Sequence, residues 1–471
     1  MPDAITLPFW LVALLGIAAI SSSYHHVFGP LMRWYLRGRE VAIKERLSQN
    51  LSRDLPEILR IRRKARVTLF VNKPEVRDAI DAAVHDGQGT HEILETKVEE
   101  YANELTPGFY ALWYFKIGYY LARTYLRMLY DIRIAKQPDA KMGEIASNAS
   151  VVLVGNHRSN IDVMLQAYLA SRTNMISFAA GEWGKAWPMS ALLRMSGSYI
   201  IRRAEPLPLY RKILAIHLRD MVSVKMPQGI FLEGSLTRDG GIQEVKLGLM
   251  SYILSALGHE NVDDIVFVPI AMNYDQVPED RALVKTDARA FQGRSKFYVV
   301  FSTLWSLLRM AYRKLSRGKS AYGAAAVSFG TPVSMKEWLQ NNNYDMAGLS
   351  AKDRRAIVAP VAQDLIEDIK GMLPVLPMSV VGTVFAQSGE NTLERSAVYD
   401  LANGVIDAME RNGATFSQNF ASQSERFVFV EKGIEALKRR KVLLEHADVL
   451  RLNVSNRPLL DYVFHSTEHL L

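Results

Sequence analysis

Apolar and polar positions fall into different patterns in successive parts of the chain. The first is L-P-F-W-L-V-A-L-L-G-I-A-A-I, Leu7–Ile20, a run of 14 residues without charge. Spanning a bilayer core takes about 20 residues, so the run needs Ser21–Ser23, Tyr24 and Val27-Phe28 to make a tilted span. The first six residues carry no Lys or Arg, which argues against a secretion signal. Residues 40–105 read as mostly helical, polar and charged, with a turn at His85-Asp86-Gly87-Gln88-Gly89. From about 150 to 335, short apolar runs alternate with helical stretches: Val151–Val154, Ile176–Ala180, Tyr199–Ile201, Gly229–Leu232, Ile265–Ile270 and Ala325–Phe329. This alternation predicts an α/β domain with a largely parallel central sheet flanked by helices. After Pro332 the pattern is helical to the end, with a break near Gln387–Asn391. The expected organisation is an N-terminal membrane anchor at 1–35 and a basic helical region at 36–105. An α/β domain at 106–335 and a C-terminal helical region at 336–471 complete it.

Charge and composition sharpen this outline. The chain has 471 residues and no cysteine, which removes disulfides, thiolate metal sites and a cysteine nucleophile. The net charge is +8, and Arg33–Arg66 holds eleven Lys/Arg against four Asp/Glu, an excess of 11 − 4 = +7. A basic segment just after an apolar run reads as a membrane anchor with a polybasic collar, the rest of the chain lying in the cytoplasm. A buried helix is the alternative. A membrane-tethered nucleic-acid binder would rest on the basic segment alone; no RNA or DNA motif is present, so no nucleic-acid partner is expected. Pro107–Tyr130 holds nine aromatic residues with Lys116, Arg123 and Arg127 along it. Such a stretch suits either a helix at headgroup depth or a core helix. Phe297–Leu315 poses the same choice, and its basic end favours lipid. His85 and His91 lack metal-ligand spacing and read as loop residues.

The candidate chemistry lies at the strand ends. V-V-L-V-G-N-H-R-S-N-I-D, Val151 to Asp162, runs from an apolar strand into a histidine and a carboxylate five positions apart. Ser159-x-x-Asp162 fits a helix-capping pattern, with His157 a loop residue. Alternatively His157 in the loop meets Asp162 in the first helical turn, the carboxylate fixing the tautomer of a general base. Both readings stand on the sequence alone. Gly197–Arg203 ends in Arg202-Arg203, Gly229–Gly241 carries Glu233-Gly234 and then Arg238, and Ile265–Asp275 contains Pro269. Arginines beside glycine turns suit an anionic substrate such as a phosphate ester. The G-x-S-x-G, Walker and G-x-G-x-x-G motifs are missing, so serine hydrolase, NTPase and Rossmann readings lack their signatures.

These residues resemble the motif blocks of the glycerolipid acyltransferases, particularly the membrane glycerol-3-phosphate and dihydroxyacetone-phosphate acyltransferases. Asn156–Asp162 is similar to their first block, N-H-x-S-x-x-D, and Gly197–Arg203 to the second. Phe231-Leu232-Glu233-Gly234 resembles the start of the third block and Val268-Pro269-Ile270 the fourth. Phe329-Gly330-Thr331-Pro332 and Pro458-Leu459-Leu460-Asp461-Tyr462 look like the same subgroup. Leu236 and Gly241 depart from the pattern, standing where the third block has basic residues.

The resemblance implies an α/β acyltransferase domain in which His157 and Asp162 are catalytic. Arg202, Arg203, Arg238 and Lys246 would hold the acceptor phosphate, Glu233 its free hydroxyl, and Gly234 and Pro269 would line the site. Main-chain donors at the helix start would meet the oxyanion. The implied partners are a membrane lipid surface, glycerol 3-phosphate, and acyl-CoA or acyl carrier protein as co-substrate. No cofactor or metal is implied. The implied location is a bacterial inner membrane, with the catalytic domain cytoplasmic. The alternatives are a lysophospholipid acyltransferase and a catalytically silent membrane scaffold of the same fold.

Overall fold

The computed structural model of the chain describes residues 56–111, 113–170, 176–185, 189–203, 205–259, 261–284, 320–344 and 350–471. The run Leu7–Ile20, most of Arg33–Arg66 and all of Phe297–Leu315 lie outside the described residues. Among the described residues no helix is long and apolar enough to cross a membrane.

An eight-stranded sheet organises the middle of the chain. Its strands are β1 (Asp131–Lys136), β2 (Ser150–Gly155), β3 (Ser177–Ala180), β4 (Tyr199–Ile200), β5 (Gln228–Phe231), β6 (Ile265–Tyr274), β7 (Ala324–Phe329) and β8 (Val333–Ser334). They lie in the order β1-β7-β6-β2-β5-β3-β4, with β8 paired to β6. β6, β2, β5, β3 and β4 run parallel, while β7 is antiparallel to β6 and carries β1 parallel beside it. The sheet is therefore mixed but mostly parallel.

β2 shows why the sheet is buried on both faces. Successive side chains on a strand face opposite sides. Val152 and Val154 enter one apolar layer with Ile253 and Leu365, while Val151 and Leu153 enter a second with Leu126 and Leu165. The helices Gly248–Leu254 and Val358–Gly371 supply the first layer, and Tyr119–Leu129 and Ile161–Ala170 the second. Burying each Val or Leu contributes about 1.5–3 kcal/mol, so a strand apolar throughout belongs between two helical layers.

All six expected strands are present, and two more appear. β1, D-I-R-I-A-K, is an edge strand whose charged residues leave no continuous apolar run to mark it. β8 is only two residues long. Pro269 does not sit on an edge strand, which is where a proline would be expected. It lies in β6, with Val154 of β2 as its register partner. Its carbonyl accepts from Gly330 N at 2.8 Å, at the seam between the ladders to β8 and β7. A residue's N and O point to the same side of a strand, so the missing N–H faces this seam rather than β2.

The helices Arg63–Val71, Pro74–His85 and His91–Leu105 precede the sheet. Their buried positions, such as Val76, Ala79, Ile80 and Ala83, recur at helical spacing. They share one core with Ile213 and Leu218 of the helix Pro208–Ser223, so this region packs onto the α/β domain rather than standing apart. The aromatic stretch before β1 divides between two environments. Tyr114, Leu126, Leu129 and Tyr130 are buried, whereas Tyr110, Ile117, Tyr120 and Leu121 are each about half exposed, at 46–57%.

The C-terminal part is helical, as the pattern predicts, with one addition. The helix Pro377–Ser388 lies among Arg395–Arg411, Gln423–Arg439 and Arg457–His465, and ends at Gly389, whose φ is +69°. The expected break at Gln387–Asn391 is this left-handed helix stop. A small sheet, β9 (Thr392–Glu394), β10 (Leu443–His446) and β11 (Val449–Leu452), was not legible in the pattern. Its hairpin turns on Ala447-Asp448, both at positive φ, a pair without the usual Asn-Gly signature.

Candidate active site

Two neighbouring parallel strands deliver the site. Gly155, the end of β2, is in register with Phe231, the end of β5, so both chains leave the sheet at the same edge. Asn156 fastens the β2 loop to β6: its Nδ2 donates to Met272 O at 2.9 Å and its Oδ1 accepts from Met272 N at 2.8 Å. His157 follows, its ring stacked on Phe231 with centroids 4.1 Å apart and planes 13° from parallel.

His157 Nδ1 lies 3.0 Å from Asp162 Oδ2. The same oxygen accepts from the main-chain N–H of Arg158 at 2.7 Å and of Ser159 at 2.9 Å. The other oxygen, Oδ1, accepts from the Tyr274 hydroxyl at 2.6 Å. A carboxylate only accepts, so Nδ1 donates, and in the neutral ring Nε2 keeps its lone pair. The two sequence readings of Asp162 hold together: one oxygen ties down the start of the helix Ile161–Ala170 and also orients His157. Asp162 is fully buried, while the His157 side chain keeps 11% of its surface exposed.

The expected oxyanion donors at the helix start are already used. Arg158 N and Ser159 N serve Asp162, Asn160 N approaches Glu279 Oε1 at 3.3 Å, and Ile161 N donates to Ser159 Oγ at 3.2 Å. Ser159 Oγ and Asn160 Nδ2 also donate to Glu279, at 2.8 and 3.0 Å, fixing the outside of the loop.

Glu233 is buried beside the pair. Its Oε1 accepts from His157 N at 2.6 Å and its Oε2 from Gln243 N at 2.8 Å. Each oxygen thus holds a main-chain donor, and the carboxylate braces the loops. Burial pushes its pKa up to about 7, the two main-chain donors acting against the rise. Gly234 takes φ +67°, which suits glycine, and Lys246 packs its stem over it. Thr237 N donates to His157 O at 3.0 Å, bringing Arg238 toward the site.

The remaining expected residues lie in different settings. Arg238 and Lys246 are exposed on the third-block loop, and neither makes an ion pair or side-chain hydrogen bond among the described residues. Leu236 is half-buried there. Arg203 is also exposed and, among the described residues, unpaired, but Arg202 beside it is not. Its guanidinium meets Glu104 at 2.7 Å, Glu205 at 3.0 Å and Glu100 at 3.4 Å, and lies 4.8 Å over the Tyr101 ring. These carboxylates, Glu104 foremost, hold it firmly protonated. Arg202 and Arg203 follow β4, three strands from β2, roughly 14 Å away at 4.7–4.9 Å per strand. Pro269 is buried within β6. Away from the site, His91 pairs with Asp81 and Glu95, at 3.3 and 3.6 Å.

Sequence reasoning had no grip on Tyr274 or Glu279, and it placed Asn156 and Phe231 in motif blocks without showing what they touch. Tyr274 is 112 positions from Asp162 and Phe231 is 74 from His157, so neither pair shares a helix or a turn that spacing could reveal. Only the strand register joins them.

The raised pKa of Glu233 predicts a pH dependence of stability. A folded-state pKa above the ordinary 4.5 contributes stability that is full below about 4.5 and lost as pH rises through about 7. Thermal melts should therefore show wild type losing stability between pH 5 and pH 8 more steeply than Glu233→Gln, by on the order of 3 kcal/mol. Equal slopes would mean the buried carboxylate does not titrate in this window.

Two family models match the chain in order: Acyltransferase over residues 139–273, and the glycerol-3-phosphate acyltransferase C-terminal region over residues 303–463. The chain is 24% identical over 414 residues to a glycerol-3-phosphate acyltransferase of Pseudomonas syringae pv. tomato, covering 85% of this chain and 48% of that protein. To a glycerol-3-phosphate acyltransferase of Haemophilus influenzae it is 24% identical over 330 residues, 68% of this chain and 39% of that one. It therefore spans half or less of the length of these curated relatives. A crystal structure of the 1-acyl-sn-glycerophosphate acyltransferase of Thermotoga maritima aligns with 66% of this chain and 98% of that one, at 15% identity and a TM-score of 0.31, too low to bear on the fold. The His157–Asp162 loop lies within the Acyltransferase match, and the chain carries this domain followed by a glycerol-3-phosphate acyltransferase C-terminal region, the same names its relatives bear.

Proposed function

We propose that this protein moves a fatty acyl group from a thioester, acyl-CoA or acyl-ACP, to the hydroxyl of glycerol 3-phosphate, the first step of phospholipid synthesis. The observation that carries the reading is the His157–Asp162 pair, held in one tautomer by a buried carboxylate and followed by the C-terminal region of this enzyme type. His157 Nε2 takes the proton of the acceptor hydroxyl while its oxygen bonds to the thioester carbonyl carbon. The C–S bond then breaks, and the imidazolium returns the proton to the departing thiolate. The alcohol is itself the nucleophile, so no acyl-enzyme is formed.

Arg238 and Lys246, on the loop bonded to His157, are the exposed cations for the acceptor phosphate, with Arg203 exposed further off at the end of β4, while Arg202 braces the second block through its three carboxylates. Leu236 favours the second reading, a lysophosphatidate acceptor, because it offers an apolar contact where the family pattern has a cation. An acceptor screen with labelled acyl-CoA decides between them. Wild type is expected to acylate glycerol 3-phosphate, and His157→Ala to lose about 10²–10⁴-fold in turnover while remaining folded. Near-normal turnover in His157→Ala would refute the mechanism, and use of lysophosphatidate alone would refute the acceptor.

The active protein works at a membrane surface in this reading. Ile117, Tyr120 and Leu121 are exposed on one face of the segment leading into Tyr119–Leu129, flanked by Arg123 and Arg127. An apolar face with basic flanks suits an anionic lipid interface. Leu121→Glu is expected to weaken co-sedimentation with anionic vesicles several-fold. Unchanged binding would assign the attachment to other segments, Leu7–Ile20 first among them.

A further inference from the structure

The third-block loop is held from two sides, and the reaction above uses only one of them. From the first block, Glu233 and Thr237 bond to the main chain of His157. From the far side comes the helix Arg457–His465, near the end of the chain. Its His465 Nδ1 lies 3.1 Å from Asp239 O, which can only accept. Gly240 takes φ +93°, and any side chain there would run into the main-chain carbonyl of Tyr462.

Arg158 joins the two sides. It is buried, and its main-chain N–H binds Asp162. Its side chain turns to the loop, with Nη1 donating to Gly240 O at 2.7 Å and the guanidinium 5.1 Å over the Tyr462 ring. The Tyr462 hydroxyl is buried and has no hydrogen-bond partner among the described residues, so the ring face rather than the OH makes the contact.

We propose that Arg158 and Tyr462 form a clamp through which the C-terminal region sets the position of the third-block loop, and with it Arg238, for binding the acceptor. Both are positioning residues: they act through the loop and touch neither reacting atom. This inference rests on the acceptor assignment above. It gives the C-terminal region a specific task, completing the anion-binding side of a site whose base and carboxylate come from elsewhere.

Steady-state kinetics on the full chain test it, with glycerol 3-phosphate and acyl-CoA each varied. Tyr462→Leu removes the ring face, and a desolvated cation–π contact of this kind leads us to expect a rise of about tenfold in KM for glycerol 3-phosphate. The kcat and the KM for acyl-CoA are expected to stay within about twofold, because His157, Asp162 and Phe231 are untouched. Tyr462→Phe keeps the ring and should restore wild-type KM, which a role for the hydroxyl would not allow. Arg158→Lys, which removes the planar guanidinium that reaches Gly240 O and covers the Tyr462 ring, should repeat the split and serves if Tyr462→Leu fails to fold.

The clamp is overturned if these variants leave the acceptor KM unchanged, or if kcat and both KM values deteriorate together in Tyr462→Phe as well. A wild type that acylates a different acceptor sinks the acceptor assignment instead, and the same split is then sought in the KM of that acceptor. A wild type that acylates none sinks both.

Discussion

A single buried carboxylate governs the geometry of this site. Asp162 has no exposed surface, and taking a carboxylate out of water costs several kcal/mol unless donors replace the water. Four do so: His157 Nδ1, the N–H groups of Arg158 and Ser159, and the Tyr274 hydroxyl. Hydrogen bonds to charged groups contribute about 1.5–3 kcal/mol each, so the four together can offset the burial. The donors come from the β2 loop and the far end of β6, so satisfying the charge fixes the loop, the helix start and the imidazole at once.

The sheet exists to bring those donors into range. β2 sits between β5 and β6 in parallel register, which puts Phe231 under the imidazole and Met272 against Asn156. Glu233 extends the arrangement by holding the main chain of His157 from the β5 side, at the expense of a carboxylate that ionises reluctantly. The parts of the chain outside the sheet act on the site through contacts to its loops. Glu104 on the helix His91–Leu105 holds Arg202, and Tyr462 lies under Arg158.

Much of the sheet was legible because its strands are continuous apolar runs closed by glycine or polar turns, a signal that survives without knowledge of pairing. What escaped was whatever depends on contacts distant in the chain. β1 carries charges at Asp131, Arg133 and Lys136, Pro269 is tolerated only because of a seam between two other strands, and the Ala447-Asp448 turn lacks its usual residues. At the site, the spacing of His157 and Asp162 was visible but left capping and pairing both open, and the structure adds the hydrogen bond. The burdens on Arg202 and Glu233 were not visible, because a free arginine and one ringed by Glu100, Glu104 and Glu205 read alike in one dimension.

The claim at the centre of the account is that Asp162 forces the proton of His157 onto Nδ1 and leaves Nε2 as the base. Long-range proton–nitrogen correlation NMR on protein labelled with ¹⁵N-histidine reads this directly, with His157→Gln identifying the signal. The account predicts a neutral ring protonated at Nδ1 with an unprotonated Nε2. A ring carrying its proton on Nε2 would contradict it, since the base would then have no lone pair to offer.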